Sequence, residues 1–305
     1  RSSLEDDGSS GGGGQRPFGL LIPGLGSTEI FEGICGELAN LARTRNHGLI
    51  WGAGHSEKAE NISIAEAERL CDQFIDARVS GVFFSPFEQI ANRAEVNQKL
   101  AEKLRRAGIA VVLLDRDFGV FPSRSDFDLV GVDNFMGGFL LADHLLGLGC
   151  RDLAFVVLPN SASTVGARIA GAREAILARG LPLHPDFVRI GDPDDSRLAR
   201  SLLVKKRVDA VLCANDRVAA LLLRSIEQGG ARVPEDVRLV GFDDVRFASL
   251  LSVPLTTIHQ PLREIAAVAF QAMLDRIANP ALPARSLVVS PRLVVRESCG
   301  ANLAL

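Results

Sequence analysis

Short apolar runs alternate along this chain with longer stretches of helical periodicity, and that alternation restricts the fold more than any other feature. The first runs are GLLIP at 19–23, a strand-length piece at 48–51, GVFFSP at 81–86, AVVLLD at 110–115 and another at 129–133. None alternates polar with apolar residues, so each fits a strand covered on both faces. Between the first two, Phe31, Ile34, Cys35, Leu38, Leu41 and Ala42 recur at spacings of three and four after Ser27 and Thr28, both good N-cap types. Residues 62–79 and 90–107 repeat the helical pattern, the latter stopped by Gly108. A second series follows a helix expected at 134–149. Its strands are expected near 152–159, 187–190, 210–214 and 237–242, and its helices near 165–179, 195–206 and 216–228, the last closed by Gly229 and Gly230. Strands alternating with helices of this length predict an α/β fold of parallel sheets with helices on both faces. The units are too many for one sheet of ordinary size, so two doubly wound lobes are expected. The pattern by itself points to two consecutive lobes.

The remaining composition narrows the function. A chain of 305 residues can bury two real cores. Its net charge is −3 and it has no long basic run, whereas a domain that grips phosphates by itself is basic. The chain alone is therefore not expected to hold duplex DNA. The five cysteines, Cys35, Cys71, Cys150, Cys213 and Cys299, are too far apart for a CxxC motif or a local zinc cluster, and read as reduced thiols of a cytosolic protein. No signal peptide is visible, and no apolar run approaches the ~20 residues a bilayer span needs, so no membrane partner is expected. Residues 1–17 are rich in glycine, serine and acids and read as a disordered linker.

No enzyme chemistry emerges. Gly24-Leu25-Gly26 lies between a strand and a helix, but Glu29 occupies the place of the third glycine of a dinucleotide fingerprint, and a carboxylate there repels a pyrophosphate. There is no phosphate-binding GxxxxGK[ST] loop and no GxSxG elbow. The histidines, His47, His55, His144, His184 and His259, lack metal-ligand spacing. No catalytic residue, metal or cofactor is assigned, and a non-enzyme is expected. What remains is a set of polar residues just after strands: Ser85, Asp115 with Arg116, Asn215 with Asp216, and Asp243 with Asp244, together with Arg168 on a helix. Asn215 or Asp216 taken singly reads as a helix cap. Taken together, a rim of acceptors with an arginine suits a neutral polyol, whose hydroxyls donate to carboxylates and accept from a guanidinium.

The strings DLVGVDN (128–134), RIAGAREA (168–175), ANDRVAA (214–220), RLVGFDDV (238–245), PLTTIHQP (254–261) and PRLVVRES (291–298) occur in this order. From Phe18 to about Ser298 the chain resembles the effector-binding core of the lac repressor/purine repressor family. The resemblance implies two lobes of the periplasmic-binding-protein type joined by three crossovers, near 131, 260 and 290. Residues 18–131 plus 262–290 would then form the N-terminal lobe, and 132–261 plus 291–300 the C-terminal lobe. It further implies that Asp115, Arg168, Asn215 and Asp243 hold the effector, that Ser85 and Gln260 assist, and that Phe31 walls the pocket; Arg116 stands beside them.

That family resemblance implies a cytoplasmic, homodimeric bacterial transcription regulator. A small carbohydrate effector would close the lobes, and operator DNA would be read by a separate domain. The rival expectation is a sugar-binding protein serving a transporter. The start FGLLIPGLGSTEIFEGIC looks like variants in which a winged-helix domain of the GntR type precedes the core. Helices of both lobes would pair in the dimer, with Ile62, Ala65, Leu70, Phe74 and Ile90 as candidates. Neither Arg168 nor Asp243 is expected to support a core. One departure is Gly191-Asp192-Pro193, where the family often places an aromatic ring after GD; proline is a smaller platform for a sugar face.

Overall fold

The apolar runs become parallel strands. The computed structural model describes residues 17–23, 29–52, 63–88, 90, 92–119, 123–205 and 208–301. Residues 1–16 of the expected linker lie outside them, as do Gly24-Leu25-Gly26, Ser27, Thr28, His55 and Ile62. Strands β1 (Phe18–Leu21), β2 (Leu49–Trp51), β3 (Gly81–Phe84), β4 (Ala110–Leu114) and β5 (Asp128–Val132) join β11 (Ser286–Val289) in one sheet, in the order β11-β5-β4-β3-β1-β2. All of its pairings are parallel. Strands β6 (Leu153–Val157), β7 (Val188–Ile190), β8 (Ala210–Cys213) and β9 (Arg238–Val240) form a second parallel sheet, β7-β6-β8-β9. A short antiparallel pair, β10 (Thr257–His259) with β12 (Arg292–Val294), attaches to the end of β9 through the bridges Val240–Thr256 and Asp243–His259.

The chain therefore returns to both sheets after leaving them: β11 pairs with β5 and β12 with β10. Two consecutive lobes, the reading from pattern alone, do not describe this connectivity. A local pattern records which residues are apolar but not which distant strand they meet.

Strands β1, β3, β6 and β8 are buried along their whole length, which is why their sequences are continuously apolar. The helices are α1 (Glu29–Thr44), α2 (Ile64–Asp76), α3 (Arg93–Arg106), α4 (Asn134–Gly147), α5 (Ser163–Ala178), α6 (Ser196–Arg200), α7 (Asp216–Gln228) and α8 (Leu262–Ala278). Helix α1 buries Phe31, Ile34, Leu38 and Ala42, one stripe at the expected spacing. The helix expected over 195–206 is shorter. It starts on the Asp195 cap, ends at Arg200 and continues as a wider π turn over Ser201–Lys205. Leu70 and Phe74, offered above as dimer contacts, are instead core residues: they pack with Leu21, Cys71, Leu100 and Leu104 beneath the first sheet. All five cysteines are free thiols. Among the described residues no helix is long and apolar enough to cross a membrane.

The packing of α4 on α5 controls the position of the site. A Cβ added at Gly138 would lie 1.9 Å from the Arg168 carbonyl oxygen, and one at Gly171 would lie 1.9 Å from the Phe135 carbonyl oxygen. The two backbones thus touch at two glycines on opposite helices, and no side chain fits between them. Gly138→Ala and Gly171→Ala are each expected to lower stability by about 1–3 kcal/mol through overpacking, read as the shift in urea midpoint at constant slope. A change below about 0.5 kcal/mol in either, the range of neutral surface substitutions, would contradict this seam.

Candidate functional site

Parallel strands deliver the residues that follow them to one edge of a sheet. Ser85 follows β3, Asp115 follows β4, Asn215 follows β8 and Asp243 comes shortly after β9. A cleft of about 920 Å³ opens where these ends meet, lined by Phe31, Ser85, Arg116, Asn215 and Asp243 among others. Pro193 also lines it, at the place where the family resemblance implies an aromatic ring.

Asp115, Arg168 and Gln260 stand behind this lining and hold it. The Arg116 guanidinium donates to Asp115 Oδ2 at 2.9 Å and to Glu88 Oε2, and lies 5.4 Å from the centre of the Phe31 ring. Burial works against its charge, but Asp115 and Glu88 on either side hold its pKa above the ordinary value. Gln260 donates its amide to Asp243 Oδ1 at 2.7 Å. Asn215 Oδ1 accepts from the Val218 N–H at 2.9 Å, so this residue caps α7 with its oxygen and leaves its amide nitrogen to donate.

Arg168 is 6% exposed. Its Nε donates to Asn134 Oδ1 at 2.8 Å and one terminal nitrogen donates to the Ala214 carbonyl at 2.6 Å. The other terminal nitrogen is 4.0 Å from Asp243 Oδ1, and the guanidinium lies 3.6 Å from the centre of the Phe242 ring. Burial depresses its pKa although Asp243 opposes the shift. This corrects the expectation that Arg168 supports no core, because it ties α5 to α4, to β8 and to the segment after β9. Burial pushes Asp243 up to about 6 against the pull of Arg168 and Gln260.

The carboxylate pair at 243–244 divides its work. Asp244 is bonded to His259 Nδ1 at 2.8 Å and accepts from Arg296 at 2.6 Å, fastening the end of β9 to β10 and β12. Asp243 is the member that lines the cleft. Asp216 is fully buried and accepts from Thr257 Oγ1 at 2.6 Å and the Val245 N–H at 3.0 Å; burial, with Asp243 adding to it, holds its carboxyl well above the ordinary value. A Cβ at Gly241 would meet Asp216 Oδ1 at 2.2 Å, which explains the glycine in RLVGF.

Backbone strain marks the same places. Asp115 has φ +68°, Asp243 +120° and Asp244 +56°, in a region that side chains rarely adopt. Such conformations cost of order 1–3 kcal/mol each and gather at ligand sites. Glu88, Asn134 and Phe242, which hold the site's charged groups in place, are among the residues the sequence did not single out. Asn134 lies inside the DLVGVDN string and Phe242 inside RLVGFDDV, so both were in view as motif letters without a role. Glu88 stands in a loop and carries no pattern.

The profile of the periplasmic binding protein-like domain matches residues 142–299. The HTH-type transcriptional repressor PurR of Photorhabdus laumondii is 36% identical over 181 residues, covering 58% of this chain and 53% of the relative. The same repressor of Vibrio campbellii is 32% identical over 210 residues, 67% of this chain and 62% of the relative. The chain thus spans between half and two thirds of the length of these curated relatives. Among solved structures, the transcriptional regulator CelR in complex with cellobiose superposes with a TM-score of 0.77 at 28% identity, covering 93% of this chain and 86% of that one. A LacI-family regulator from Enterococcus faecium with bound ribose, 24% identical, shares the fold with a TM-score of 0.73 over 92% of this chain and 98% of its own. With more than half its length in the matched profile, the chain belongs to the periplasmic binding protein-like family, as an effector-binding domain of the LacI/GalR type.

Proposed function

We propose that this chain is the effector-binding and dimerising portion of a cytoplasmic, non-enzymatic bacterial transcription regulator, and that its cleft takes a small uncharged carbohydrate. The observation that carries the reading is the cleft itself, with Asp243, Asn215, Ser85 and Arg116 at strand ends around about 920 Å³. That volume falls within the range for small-molecule sites and suits a mono- or disaccharide. Among the described residues, five carboxylates line it, from Glu29, Glu32, Glu88, Asp192 and Asp243, against two guanidiniums, from Arg116 and Arg217. Arg116 is already engaged by Asp115 and Glu88. A phosphorylated sugar would meet a field of its own sign. The CelR–cellobiose neighbour supports the carbohydrate class.

The lobe division proposed is 18–131 plus 262–290 against 132–261 plus 291–300. The return of β11 to the first sheet and the attachment of β12 to β10 support it. Ligand that prefers the closed lobes would shift the population toward closure and reposition DNA readers carried on another segment. The curated relatives are HTH-type repressors, which favours a helix-turn-helix reader over a winged helix. For the homodimer, Leu250 and Ile190, 81% and 68% exposed, are better candidates than the buried Leu70 and Phe74. Sedimentation velocity should give a dimer at micromolar concentration; a monomer there sinks this part.

The effector is tested by thermal shift against neutral mono- and disaccharides, their phosphates, and free nucleobases, followed by calorimetry. A neutral sugar should raise the melting temperature, and its 6-phosphate should not. Stabilisation only by phosphates or only by nucleobases would overturn the assignment.

A further inference from the structure

Glu88 occupies a position that lining a pocket does not explain. It follows β3, on a loop clamped by Asn97: the Phe87 N–H donates to Asn97 Oδ1 at 2.7 Å and Asn97 Nδ2 donates back to the Phe87 carbonyl at 2.9 Å. Asn97 is buried, 1% exposed, so the stem of Glu88 is fixed. Its two carboxylate oxygens then go separate ways. Oε2 accepts from Arg116, which lines the cleft and belongs to the first sheet's side. Oε1 accepts from the Ala162 N–H at 2.9 Å, at the start of α5 in the second sheet's half of the molecule. Ala162 is the N-cap residue of α5 and has no side-chain acceptor of its own. A carboxylate there also meets the positive end of the helix.

Other bonds among the described residues cross in the same region, among them Arg93 to the Asn160 carbonyl at 3.1 Å and the Arg246 N–H to Glu29 Oε2 at 2.9 Å. Neither directly engages one of the guanidiniums of the cleft. Glu88 does, and the helix it fastens is the one that carries Arg168.

We infer that Glu88 is a positioning residue that links the ligand site to the separation of the two sheets. One carboxylate orients Arg116 over Phe31 and latches α5 across the cleft. A ligand that leaves Arg116 in place keeps the latch made; one that draws Arg116 away changes how tightly Glu88 is held against Ala162. The inference deepens the effector reading and rests on it for its purpose. The latch itself is read without ligand, so a failed ligand screen and a failed latch are distinct results.

The test uses the full chain, ligand-free, as wild type, Glu88→Ala and Ala162→Pro. Ala162 has φ −61°, a value proline adopts unstrained, so Ala162→Pro deletes the N–H and its Cδ displaces Oε1, while both the Glu88 and Arg116 side chains remain present. Amide exchange is followed over 159–167 and over α7 as the reference, with X-ray scattering for the radius of gyration. Both variants should exchange about ten- to a hundredfold faster over 159–167, the range for one hydrogen bond to a charged group. Exchange over α7 should not change, and the radius of gyration should rise in both. Faster exchange at an unchanged radius means a local cap only and overturns the inference, as does unchanged exchange. If Glu88→Ala does not fold, Ala162→Pro decides alone.

Discussion

Asp128→Ala will lower the stability of the folded chain by about 3–5 kcal/mol, the range for removing one partner of a buried ion pair. Asp128 opens β5 and is 0% exposed. Its Oδ1 accepts the Arg285 N–H at 2.9 Å and Arg285 Nε at 3.2 Å; its Oδ2 accepts Arg276 Nε at 3.1 Å. Arg285 also pairs with Asp275 at 3.0 Å, and Arg276 bonds the Pro283 carbonyl at 3.0 Å. The cluster joins the end of α8 and the start of β11 to β5, so it secures the chain's return to the first sheet. Burial opposes ionisation of Asp128, yet the side-chain and backbone hydrogen bonds from Arg285, with Arg276, hold its carboxyl below the ordinary value. A depressed carboxyl stabilises above its unfolded pKa and loses that contribution as pH falls through its folded pKa. The deficit of the variant should therefore be full at pH 7 and shrink in strong acid. Urea unfolding at the two pH values measures it; a deficit under about 1 kcal/mol at pH 7, no more than an exposed pair contributes, would count against the cluster.

Arg168→Ala should lose ligand affinity and apo stability together, while Asp243→Asn should separate them. Removing the Arg168 guanidinium leaves Asn134 Oδ1 and the Ala214 carbonyl without their donor and uncovers the Phe242 ring. It also strips the buried Asp243 carboxylate of its nearest cation. A loss of about 3–5 kcal/mol in the apo protein follows, with affinity for a bound sugar falling about a hundredfold or more. Asp243 behaves oppositely in the apo state. Its pKa is raised to about 6, so the stability linked to it is fully present below the unfolded carboxyl value near 4 and lost as pH rises through about 6. Asp243→Asn should therefore melt like wild type near pH 4 and above it at pH 8, by an amount on the order of 2–3 kcal/mol. Its affinity for a hydroxyl-donating ligand should fall ten- to a hundredfold at pH 8. Wild-type affinity should weaken as pH drops through about 6, and that of Asp243→Asn should stay flat. Calorimetry across pH with apo melting reads all of these; unchanged affinity in both variants would remove the two residues from the site.

Particular elements explain what could be read from the letters. Strands β3, β4 and β6 were legible because a strand buried on both faces must be apolar throughout. Helix α7 was legible at both ends, from Asn215 at its start to Gly229 at its close. Strands β11 and β12 were not, since they are short, half-exposed and defined by partners far along the chain. In the site, aspartates after strands could be found by type and place. That Asp243 faces the cleft while Asp244 turns to His259 and Arg296 and Asp216 is buried depends on register with β10, which no local pattern encodes. Arg168 was visible as a residue, but its depth depends on Gly138 across the helix pair.

The contact between α4 and α5 has a practical consequence for anyone re-lining this cleft. Because two carbonyl groups set the spacing of these helices, the reach of Arg168 into the molecule is fixed by backbone and cannot be tuned by changing its neighbours' size. New ligand preference is better sought at Phe31, Pro193 and Phe247, which line the cleft from elsewhere. A library built on those three positions samples pocket shape while leaving the helix spacing, and the guanidinium it aims, untouched.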